Sequence, residues 1–102
     1  MPATIVGPLQ NVTGAPNGSF AALNLTTAQV VKAAPGVLYK VVCVVAGSIT
    51  LNDLASTSGS AAANTIFTGS VTAGQVIELD WPCLTGIAVT AITTAQVNVS
   101  YS

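Results

Sequence analysis

A chain of 102 residues is long enough for one domain with a real core and too short for two. Hydrophobic residues make up 51% of it and charged residues only 5%, against roughly 25% charged in an ordinary soluble domain. Two lysines cannot supply the basic patch that phosphate neutralisation needs, which argues against nucleic-acid binding. With no His and no Arg, almost nothing is left to activate a Ser, Thr or Cys nucleophile, so an enzyme is not expected.

Residues 1–22 are punctuated by Pro2, Gly7, Pro8, Gly14, Pro16 and the pair Asn17-Gly18. Proline and glycine at this frequency prevent strand pairing over any length, although Thr4–Val6 and Phe20–Leu25 have the composition of short strands. The segment is expected to be an extended N-terminal arm, lying along its own domain or reaching a neighbouring subunit. Its apolar side chains Ile5, Val6, Leu9, Val12 and Phe20 are the candidate assembly contacts. Residues 23–102 are expected to form the folded domain.

From Thr26 to Asp53 the sequence predicts three strands joined by two tight turns. Thr26–Ala33 is rich in β-branched residues, Ala34-Pro35-Gly36 is a turn signal, and Val37–Val45 is a near-continuous apolar run. Ala46-Gly47-Ser48 turns the chain again into Ile49–Asp53. Both faces of Val37–Val45 are apolar except at Lys40, which predicts a central strand buried on both sides. Alternation places Cys43 with Val41 and Val45 on one face, as a buried free thiol; Cys43 and Cys83 match no metal or redox spacing.

Leu54–Asn64 is a small-residue stretch that reads as a surface loop, with a brief helical turn conceivable over Ser60–Ala63. Thr65–Gly69 is a short strand, and Gln75–Trp81 alternates Ile77, Leu79 and Trp81 against Glu78 and Asp80. This alternation puts Trp81 in the core and the two carboxylates on a solvated face, and Pro82 is expected to end the strand. Calcium wants six to eight oxygens, and no suitable loop flanks the pair, so neither a metal nor a cofactor is expected. Ile87–Ile92 and Gln96–Ser102 complete the pattern. The sum is seven or eight strands with turns at short intervals, an antiparallel β-sandwich or jelly roll.

No apolar run approaches the roughly 20 residues of a spanning helix, and no positive segment precedes an apolar one at the N-terminus. Neither a membrane partner nor export is therefore expected, and synthesis in a cytoplasm follows. So few charges leave a weakly hydrated surface, which favours association with copies of itself or with a larger assembly.

The segments AQVVKAAPGVLYKVVCVVAGS and ELDWPCLTGIAV, with the ending QVNVSYS, span Ala28 to Ser102. They resemble small all-β proteins of tailed bacteriophages and prophages. The resemblance carries no catalytic motif, and the Ile49–Asp53 stretch is shorter here than in some relatives. It implies a virion structural role on the outside of the head. A lattice-building shell protein would be far longer and a genome-lining protein more basic, so an added outer layer fits best. The expectation is a capsid decoration (cement) protein: a homo-oligomer, with a homotrimer favoured, binding the major capsid protein on the capsid exterior. Many-fold binding to a fixed lattice would make weak single contacts sufficient. The competing expectation is a head- or tail-fibre module that recognises a host receptor or glycan, with Trp81 and Tyr39 as a stacking platform.

Overall fold

The computed structural model describes residues 20–102. It is all-β and sandwich-like, with eight strands in two antiparallel sheets of four. The strands are β1 (Phe20–Leu25), β2 (Gln29–Lys32), β3 (Gly36–Val45), β4 (Gly47–Asn52), β5 (Thr65–Val71), β6 (Val76–Cys83), β7 (Ile87–Thr93) and β8 (Gln96–Tyr101). The first sheet runs β1-β8-β3-β6 and the second β2-β7-β4-β5. Only β4 and β5 are consecutive strands of one sheet; every other connection carries the chain across to the opposite sheet. The turn signals at Ala34-Pro35-Gly36 and Ala46-Gly47 therefore mark sheet-to-sheet corners.

Each sheet contributes one face to a shared core. Leu25, Leu38, Val41, Cys43, Cys83, Val97 and Val99 come from the first sheet, and Ile49, Leu51, Val71, Ile87 and Val89 from the second. Side chains of this size stabilise the fold by about 1.5–3 kcal/mol each when fully buried. The corners at the end of β3 and the end of β7 pass so closely that a Cβ on Gly47 would meet the Thr93 carbonyl and the Ala95 backbone. Glycine is required there by space.

Strand β1 begins at Phe20, so Phe20–Ala22, expected within the arm, instead pair with β8. Ile5, Val6, Leu9 and Val12, and the Thr4–Val6 strand, lie outside the described residues. The helical turn expected over Ser60–Ala63 is a single 3-10 turn over Ala62–Asn64.

Four expectations are corrected. Val37–Val45 does lie inside its sheet, between β8 and β6, but only its inner face is buried. Val42 and Val44, alternating with the buried Val41 and Cys43, are exposed, because the second sheet covers one side of the first and not the other. Val45 does not share the Cys43 face, since the pairing with β8 shifts between Cys43 and Val45. Trp81 is not in the core: half of its surface is exposed (50%). The pairing of β3 with β6 shifts between Leu38 and Lys40, and opposite that shift Asp80 takes a left-handed backbone, φ 47. The parity of β6 is nevertheless kept, since Trp81 alternates with the buried Cys83 and lies opposite the buried Leu38; it is half exposed because β6 is an edge strand. Nor does Pro82 end the strand. It stays in register with Val37 because β6 is an edge strand, where a missing N–H breaks no ladder.

Candidate assembly surface

The outer face of the first sheet is built by the residues that alternate with its core positions. Leu23 of β1, Val42 and Val44 of β3, and Val76 of β6 are all exposed, Leu23 by 67% and Val76 by 53%. Val42 and Val76 are direct cross-strand partners, and Val42 also faces Asn98 of β8. One row further along, Ser100, Lys40 and Glu78 lie side by side. The face is thus an apolar band flanked by one positive and one negative side chain.

A shallow groove of about 290 Å³ runs along this face over β8, lined by Ala21, Leu23, Lys40, Val42, Asn98 and Ser100. The Ser100 hydroxyl is buried in it and has no hydrogen-bond partner among the described residues. A buried unpaired hydroxyl costs about 1–3 kcal/mol, which an incoming polar group would relieve. Asn98 is used locally: its Oδ1 accepts the Asn24 N–H at 2.8 Å, holding the left-handed Asn24 of β1 in place.

Phe20, the described member of the expected assembly contacts, is 59% exposed at the start of β1. Its ring lies 5.7 Å from that of its strand partner Tyr101, at the rim of the core. It therefore belongs to a different patch from Leu23 and Val42. These apolar outer-face residues were hidden in the sequence because the Val37–Val45 run looks equally apolar on both sides.

At one end of the molecule a second surface feature surrounds Trp81. A cavity of about 430 Å³ opens between Trp81, Leu84 and Thr85 on one side and Asp53 and Asn64 on the other. The Asp53 carboxylate accepts backbone N–H bonds from Leu84 (2.9 Å), Thr85 (2.8 Å) and Gly86 (3.1 Å). Burial pushes this carboxyl up, but the three N–H bonds outweigh it and hold it below its ordinary value. Next to it, Asn52 is fully buried and works as a hub. Its Nδ2 donates to Asn64 Oδ1 (2.6 Å) and Thr65 Oγ1 (3.1 Å), and its Oδ1 accepts from Ser60 and Thr90. Nothing in the residue pattern had marked Asn52, whose role depends on partners 8 to 38 positions away.

Glu78 and Asp80 are both exposed on β6. Cys43 and Cys83 are buried free thiols, and burial, reinforced by the charge of Asp53, pushes the Cys83 thiol up to about 11. A thiol in that state is a packing group rather than a nucleophile. Compared with protein-family models, curated proteins and solved structures, the chain matches none.

Proposed function

We propose that this chain is a non-catalytic virion structural protein, a decoration protein that binds the exterior of a tailed-phage head as a homo-oligomer, most simply a trimer. The observation that carries the reading is the open apolar band of Leu23, Val42, Val44 and Val76. A lone subunit gains nothing by presenting it to water, whereas association removes it at roughly 25 cal/mol per Å². The strand orders β1-β8-β3-β6 and β2-β7-β4-β5 support reading the sandwich as a jelly roll, a double-sheet arrangement found in viral capsid proteins. The resemblance of Ala28 to Ser102 to small phage virion proteins points the same way. Residues 1–19 are the proposed capsid-gripping arm.

Abundance in purified particles of the encoding phage tests this directly. Near-equal copies of this chain and the major capsid protein are expected, with binding lost on deletion of residues 2–19. Absence from the particles contradicts the virion role; unchanged binding of the truncated chain contradicts the arm. A fibre module that recognises a host receptor is the second reading, favoured by the half-exposed Trp81, and a handful of copies per particle selects it.

A further inference from the structure

Trp81 is the single tryptophan of the chain, and the fold sets it outside the core. It stands opposite Leu38 on the edge strand β6, half exposed, with Pro82 directly after it. Beside it Leu84 is 79% exposed, so two large apolar side chains stand at the mouth of one cavity. A side chain whose burial the fold forgoes is available to a ligand.

The opposite wall is polar and firmly held. Asp53 Oδ1 accepts two backbone N–H bonds and Oδ2 accepts one. A carboxylate offers roughly four lone-pair sites, so acceptor capacity remains on a group whose orientation is already fixed. Asn64 is fixed too: its Oδ1 accepts from Asn52 and from the Ala61 N–H, and its Nδ2 donates to the Gly59 carbonyl. Neither lysine lines this cavity, which disfavours phosphate, sulfate and acidic sugars. Three backbone N–H groups already stabilise the Asp53 carboxylate, and no second carboxylate among the described residues lines the cavity, which suits a hydroxyl donor better than a cation. What combines a flat C–H face for an indole with hydroxyl donors for a fixed carboxylate is a neutral hexose. The cavity volume falls within the usual range for small-molecule sites, about 300–1,000 Å³.

We infer that the cavity between Trp81 and Asp53 is a binding site for a neutral saccharide, with Trp81 as stacking platform, Asp53 as the hydrogen-bond acceptor facing it, and Thr85 lining the cavity beside Trp81. The site lies at the end of the molecule, separate from the apolar band, and stands under either reading of the copy number. It extends the assembly reading by giving a decorated surface an affinity for glycan, and it gives the receptor-module reading its site.

The test is titration of the full-length, ¹⁵N-labelled protein with maltotriose, cellotriose and chitotriose, each up to roughly 10 mM, a range that detects millimolar affinities. At least one is expected to shift the Trp81 indole N–H together with the Leu84, Thr85 and Asn64 amides in a saturable way. Trp81→Ala should weaken that binding about tenfold or more, and Thr85→Val by less, while both leave the amide dispersion of a folded protein. Should Trp81→Ala fail to fold, Thr85→Val and the shift map carry the test. Three results overturn the assignment: no response to any of the three sugars, saturable shifts confined to the Leu23–Val42 groove, or an equal response to choline or a proline-rich peptide in their place.

Discussion

Asp53 and Thr85, 32 positions apart in sequence, are joined by a 2.8 Å bond from the Thr85 backbone N–H to the Asp53 carboxylate. The same carboxylate takes the N–H groups of Leu84 and Gly86, so one side chain just beyond β4 holds the whole β6–β7 turn. Strands from opposite sheets are thereby tied at the end where the Trp81 cavity opens.

This tie makes stability depend on acid. Because the folded carboxyl is held below its ordinary value of 3.8, the charged form binds the fold better than the unfolded chain. Its contribution is fully present above the ordinary value and is lost as pH falls through the lowered folded one. Thermal melting of the wild type should therefore fall between about pH 5 and about pH 2, and Asp53→Asn should flatten that descent. At neutral pH the same substitution should cost about 1–3 kcal/mol, since a fixed amide cannot accept all three N–H groups.

Asn52 poses a different problem, because it is fully buried among groups that depend on it. Asn52→Ala leaves partners on Ser60, Asn64, Thr65 and Thr90 without their bonds. The expected loss is about 3 kcal/mol in urea unfolding. Amide exchange should also quicken in the 54–64 loop, since Asn52 bonds Ser60 and Asn64 at its far end.

Gly47 tests the close crossing of two corners. A methyl group there would press on the Thr93 carbonyl and the Ala95 backbone, neither of which can swing aside as a side chain could. Gly47→Ala should lower the urea midpoint by an amount equivalent to about 2 kcal/mol or more, with the slope unchanged. An equal-sized change at Gly59, where nothing lies within 4 Å, should cost less; its φ of +92 still imposes some strain.

Much of the fold was legible because it follows from local pattern. Val and Thr density located β3, β4, β7 and β8, and the Ala-Pro-Gly and Ala-Gly signals located two of the corners. What escaped was cover. Alternation in Gln75–Trp81 places Trp81 on the Ile77 and Leu79 face but cannot show that this strand sits at the edge of its sheet, where Trp81, opposite the buried Leu38, stays half exposed. The exposure of Val42 and Val44 escaped for a related reason: an apolar run cannot reveal whether its second face is covered by its own chain or by another. Asp53 and Asn52 escaped because their partners are distant in sequence, so their roles exist only once the sheets are assembled.

The proposed joining of copies of this chain through the outer face of the first sheet is read from mass in solution. Sedimentation equilibrium of the wild type should give a multiple of the 10.1 kDa subunit, with three copies favoured. Val42→Lys combined with Val76→Lys sets two charges on adjacent exposed positions of the band. It should return the protein to 10.1 kDa with its β-sheet circular dichroism intact. A wild type that sediments as a single subunit would contradict self-assembly. A double variant that keeps the wild-type mass would leave the oligomer standing and remove this face from it.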